Sequence, residues 1–181
     1  MYNMNETTER KSLLAYGMEG GLWLGLYLVL RFICSVAGSF SPIFDALALL
    51  MFVGTPFVLY YIMLRYHRNN GFVSGFSLLW MMGIMLFFFA SLICAVPEFI
   101  FYQYIDPDYI ANAMSQSLKL IEDMGLMKDD EAYNQMRQLI EQGTAPTAIQ
   151  MIMSSMWSNV FFGSLLSIVV APFVTRKKYK A

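Results

Sequence analysis

Four long apolar runs organise the chain, over about residues 12–37, 43–64, 72–104 and 148–174. Each is at least as long as the about 20 residues that a helix rising 1.5 Å per residue needs to cross ~30 Å of hydrocarbon. Lipid offers the backbone no hydrogen-bond partner, so a spanning segment must satisfy its own amides. Runs this long do so as helices rather than as barrel strands of about 10 residues. The pattern predicts an all-α integral membrane four-helix bundle, a single membrane domain covering residues 1–181. A cleaved secretory signal in the first run is disfavoured, because the run is too long for an h-region and Arg31 interrupts it. Met1 is accordingly expected to begin the mature chain.

Between the third and fourth runs the period changes to that of amphipathic helix. Ile110, Met114, Leu118 and Ile121 share one helical face, Asp106 is placed to cap a helix beginning at Pro107, and Gly125 is placed to end it. A second short helix is predicted from Asp129 or Asp130 to Gln142, with Tyr133, Met136 and Ile140 on one face and Gly143 at its end. Residues 105–147 therefore read as a helical hairpin inserted between helices 3 and 4. Its apolar stripes need cover, either from each other and the bilayer surface or from an envelope protein partner; the segment's acidity would favour a basic one.

Composition supports the membrane assignment: 57% of residues are hydrophobic and 14% charged, against about a quarter charged in soluble domains. The net charge of −1 conceals a segregation that fixes an orientation. Arg10 and Lys11 precede the first run, Arg65 and Arg68 follow the second, and Arg176, Lys177, Lys178 and Lys180 follow the fourth. The loop between runs one and two has no basic residue, and residues 105–148 carry three basic residues against eight acids. By the positive-inside rule, both termini are expected to face the cytoplasm and residues 105–147 to be extracytoplasmic.

Polar and small residues inside the runs are the candidate sites. Gly17, Gly21 and Gly25 are spaced four apart and form a groove where another backbone can approach. In the fourth run Gly163, Ser167 and Ala171 repeat the spacing, and counting inward from the cytoplasmic side pairs Gly17 with Ala171, Gly21 with Ser167 and Gly25 with Gly163. Helix 1 is therefore expected against helix 4, with a homo-oligomer through either stripe as the alternative.

Glu19 and Arg31 are ~18 Å apart along their helix and about 120° apart around it, so they cannot pair with each other. Glu19 is assigned to the inner interface, as a coupling or interface charge. A lone charge in hydrocarbon costs a few kcal/mol, so Arg31, in the outer third of its helix, is expected to form an intramembrane ion pair. Glu98, after Pro97, is the leading partner and Asp45 the reserve. Snorkelling of Arg31 to phosphates, or a place along an ion or substrate path, are the competing readings.

No chemistry-bearing motif emerges. Cys34 and Cys94 read as buried thiols, and His67, the single histidine, sits beside Arg65 and Arg68 in what reads as a turn, with no metal or catalytic partners. The 15 methionines are scattered, as packing residues are. No nucleotide loop, redox CxxC or paired-His motif occurs, so no catalytic residue, cofactor, metal or nucleic-acid partner is expected.

The string RYHRNNGFVSGFSLLWMMGIM, the element FIFYQYIDPDYI, an acidic helix pair and a final span ending in RKK together resemble domain-of-unknown-function family 4199. The clearest matches are Gly71, Phe72, Ser74, Phe76 and Tyr104-Ile105-Asp106-Pro107, while Ser77-Leu78 replaces a more usual Gly-Gln pair. The resemblance implies a small four-span protein of the bacterial inner membrane, from Bacteroidetes, and brings no catalytic residues with it. The function expected is that of a non-enzymatic accessory or scaffolding subunit in the lipid bilayer. The alternative is a small oligomeric transporter or channel using Glu19, Arg31 or Glu98.

Overall fold

A computed structural model of the chain describes residues 13–39, 41–71, 74–124, 133–135, 137–138 and 146–176. These form α1 (Leu13–Ala37), α2 (Pro42–Asn69), α3 (Phe76–Ile100), a π-helical turn (Phe101–Ile105), α4 (Tyr109–Asp123) and α5 (Ala148–Thr175), with no strand among the described residues. α1, α2, α3 with its π turn, and α5 are long and apolar enough to cross a membrane. Chain contacts divide the protein into two compact units, Met1–Cys94 with Met156–Ala181, and Ala95–Ser155.

In the first unit α3 is the central helix. Leu79, Met82, Leu86 and Ala90 of α3 are fully buried and share one core with Leu24 of α1, Leu59 and Met63 of α2, and Ala171 and Val174 of α5. The expected pairing of Gly17, Gly21 and Gly25 with Ala171, Ser167 and Gly163 is overturned, because both small-residue stripes face α3 instead. A Cβ built on Gly17 would lie 3.2 Å from the Met85 Cβ, one on Gly21 2.6 Å from the Phe89 Cβ, and one on Gly25 2.9 Å from the Ile93 Cβ. On the other side, a Cβ on Gly163 would come within 2.1 Å of the Phe87 ring. The Ser167 hydroxyl donates to the Gly163 carbonyl at 2.6 Å and fills the space beside Gly83. At 100° per residue, 85, 89 and 93 centre about 140° from 83 and 87, so α3 receives the two stripes on different faces.

α2 runs five residues beyond the apolar segment that ends at Leu64. A helix stops where its backbone is redirected, not where hydrophobicity falls. Here the Asn70 N–H reaches back to the Tyr66 carbonyl at 2.9 Å, and Gly71 takes the left-handed φ of 66° that ends the helix. His67 therefore sits in the last helical turn, buried at 1% exposure, rather than in a turn between spans. Within α2, Pro56 lacks the amide that would continue the ladder. Nearby, the Met51 carbonyl accepts hydrogen bonds from the hydroxyls of Thr55, at 3.2 Å, and Tyr27. Gly54 makes the second bond feasible, since a Cβ there would meet the Tyr27 hydroxyl at 2.7 Å.

In the second unit the chain leaves the π turn at Asp106, whose carbonyl accepts the Tyr109 N–H at 3.2 Å across a turn containing Pro107. α4 consequently begins at Tyr109 with Asp108 in the cap position, two residues later than the sequence suggests, and the Asp108 side chain makes no capping bond. The expected apolar face is present: Ile110 and Leu118 are buried, Met114 and Ile121 half-buried. Gly125 and Gly143 lie outside the described residues, as does most of the second predicted helix; its residues 133–135 and 137–138 are helical.

Candidate functional site

Of the charged residues that sequence reasoning singled out, Glu19, Arg31 and Asp45 of the first unit each meet a different neighbour. Arg65, near the end of α2, brings its Nη2 within 3.8 Å of Oε1 of Glu19 on α1. Counting equally outward from residues 38–41 would set Glu19 opposite residue 60, so Arg65, five residues further along α2, was not recoverable as its partner from the sequence. Beside this pair, the Tyr16 and Tyr66 rings pack edge to face with centroids 4.9 Å apart, and the Tyr16 hydroxyl accepts a hydrogen bond from the Asn69 side chain at 3.0 Å.

Between α1 and α2 lies a cavity of about 340 Å³ with Glu19 and Arg65 in its lining. Its walls are otherwise aromatic and aliphatic, from Trp23 and Tyr27 of α1 and Val58 and Tyr61 of α2. The spacing explains this lining: 19, 23 and 27 form one stripe of α1, and 58, 61 and 65 form one stripe of α2.

Arg31 stacks its guanidinium over the Phe52 ring, 5.1 Å from the ring centroid, a cation–π contact between α1 and α2. Asp45, in the first turn of α2, presses its carboxylate against Gly38, which has no side chain to obstruct it, and sits where a helix N-terminus favours negative charge. Glu98 belongs to the second unit and is buried at 7% exposure. Cys34 and Cys94 are free, buried thiols. Among the described residues no three His, Cys, Asp or Glu side chains gather as a metal site would need.

In the second unit the Tyr133 hydroxyl donates to Oε1 of Glu122 on α4 at 2.5 Å. That hydrogen bond to a carboxylate, reinforced by burial, raises the phenol above its ordinary pKa of 10.0. The Tyr133 ring is largely buried, in keeping with its assigned position on an apolar face.

Four helices long and apolar enough to span a membrane, packed on an apolar core, define a multi-pass α-helical membrane protein. Residues 19–176 match the family described as "Protein of unknown function (DUF4199)", and the chain belongs to that family. No curated protein and no solved structure matches it.

Proposed function

We propose that this protein is a non-enzymatic accessory or scaffolding subunit of the bacterial inner membrane. Both termini face the cytoplasm, and residues 105–147 form an extracytoplasmic helical hairpin that binds an envelope partner. The observation that carries the reading is the packing around α3. Glycines and a serine on both sides bring neighbouring helices into backbone-distance contact, and the core between them is filled by Leu, Met, Ala and Val side chains. Such a centre holds helices in fixed register. The Tyr133–Glu122 bond supports the hairpin by tying α4 to the following segment. The exposed Glu122, Asp123 and Lys119 side chains, with exposed Leu120 and Met124, present an acidic surface with an apolar component suited to a basic partner.

The transporter reading is favoured by one feature, the Glu19–Arg65 pair in a cavity of a spanning helix pair. Crosslinking the intact protein in its native membrane, followed by purification, separates the two. A stoichiometric partner of a different sequence, lost when Glu122 and Asp123 are both changed to Lys, supports the scaffold; self-crosslinks alone support an oligomeric transporter. The Arg31–Glu98 ion pair stands as a proposal on sequence grounds, tested by reversing both charges. Arg31→Glu and Glu98→Arg together should recover stability that each loses alone, and purely additive losses would refute the pair.

A further inference from the structure

The α1–α2 cavity has the shape of a receptor for one kind of amphiphile. Its two charged lining residues, Glu19 and Arg65, meet toward one end, and Tyr27 lines it about 12 Å, or eight residues, further along α1. Trp23 and Tyr61 flank it with 60% and 67% of their surfaces exposed, and in a membrane-spanning helix pair that exposed side faces hydrocarbon. The slot therefore opens sideways into lipid, and its volume, about 340 Å³, lies within the ~300–1,000 Å³ of small-molecule pockets.

The charges select the headgroup. Arg65 and Glu19 are 3.8 Å apart, beyond the about 2.7–2.9 Å of a tight charge-assisted hydrogen bond, and both side chains keep part of their surface accessible. A guanidinium beside a carboxylate offers one complement to phosphate and one to ammonium. A purely anionic headgroup gains the first and is repelled by the second; an uncharged one gains neither. We infer that the cleft between α1 and α2 binds a zwitterionic phospholipid of the phosphatidylethanolamine type, phosphate on Arg65, primary ammonium on Glu19, and acyl chain along Trp23, Val58 and Tyr61. The lipid comes from the leaflet reached by the start of α1 and the end of α2. It acts there as a structural wedge holding α1 and α2 at a fixed spacing.

The test is lipid retention by the full chain. The protein is reconstituted into vesicles containing equal parts phosphatidylethanolamine and phosphatidylglycerol, extracted in mild detergent, and its bound lipid counted by native mass spectrometry. Phosphatidylethanolamine should be retained over phosphatidylglycerol by roughly tenfold, the ratio set by one favourable against one unfavourable headgroup charge contact. Glu19→Gln should erase or invert that ratio, and Arg65→Gln should lower retention of both lipids by roughly tenfold. Arg68→Gln, an exposed cation outside the cleft, should change neither. Should the charge variants fail to fold, Val58→Phe narrows the shaft and leaves both charges in place; it should expel the lipid while helical content is kept. Equal retention of the two lipids by the unmodified protein, an unchanged ratio in Glu19→Gln, or undiminished lipid in Val58→Phe overturns the inference.

Discussion

At the scale of single residues, the first unit depends on side chains that are missing. A methyl group added at Gly21 would meet the Phe89 Cβ at 2.6 Å and the Leu86 carbonyl oxygen at 3.3 Å, and a backbone oxygen cannot swing aside as a side-chain tip can. Gly21→Ala should therefore destabilise the protein by about 1–3 kcal/mol despite alanine's better helix propensity. Gly75→Ala, with nothing within 4 Å of its added methyl, should stay within about 0.5 kcal/mol. Unfolding of both variants in mixed detergent micelles measures the difference. Tyr133 offers a second residue-level prediction, governed by pH. Its phenol is raised because the protonated form donates to Glu122, so the bond's contribution is complete below the free phenol's pKa and disappears as pH climbs through the raised folded value. Stability followed from about pH 8 to 11 should fall more steeply in the unmodified protein than in Tyr133→Phe, which has no such bond to lose.

At the scale of elements, the order of packing is the main result, and part of it was readable beforehand. α3 carries no charge from Phe76 to Pro97, but an apolar surface faces lipid as readily as protein, and α5 is equally uncharged, so the central place of α3 was not readable from hydrophobicity. Its burial share is the largest of the four spans. The glycine stripes of α1 and α5 were legible as surfaces for close approach. Their partner was not, because a small-residue stripe states how near a neighbour comes and nothing about which neighbour it is. Gly83, which accommodates Ser167, went unnoticed for a similar reason: a single glycine in an apolar run has no period to mark it. Element ends were hidden where hydrophobicity and helicity part company, as at Arg65–Asn69, where the helix outruns the apolar segment. Disulfide trapping tests the packing order. In a variant lacking Cys34 and Cys94, the pair Gly17→Cys and Met85→Cys should crosslink readily under mild oxidation, since their Cβ positions are 3.2 Å apart, close to the about 3.5–4.5 Å of disulfides. Gly17→Cys with Ala171→Cys should remain reduced, and efficient crosslinking of that second pair would restore the α1–α5 arrangement.

At the scale of the whole molecule, what the proposed scaffold can meet on each side of the membrane follows from its orientation, and the proposed orientation rests on the distribution of Lys and Arg. Arg68 lies at the exposed end of α2, one residue from the helix terminus, and Lys119 on the exposed face of α4. An α-helical span reverses sides once, so α3 separates these two positions by a single crossing. Arg68→Cys should accordingly react with a membrane-impermeant maleimide only in inverted vesicles, and Lys119→Cys in intact cells stripped of their outer membrane. Both substitutions sit outside the packed core, so the reading is not confounded by misfolding, and the buried native thiols Cys34 and Cys94 contribute little background. Reaction of both positions from the same side would mean that α3 does not cross. The acidic segment 105–147 would then face the cytoplasm beside the basic termini, and an envelope partner would be excluded. Reaction from opposite sides in the reversed sense would keep the four crossings and move the partner surface inside the cell. Only the expected result leaves Glu122 and Asp123 facing the envelope, where a basic partner could reach them.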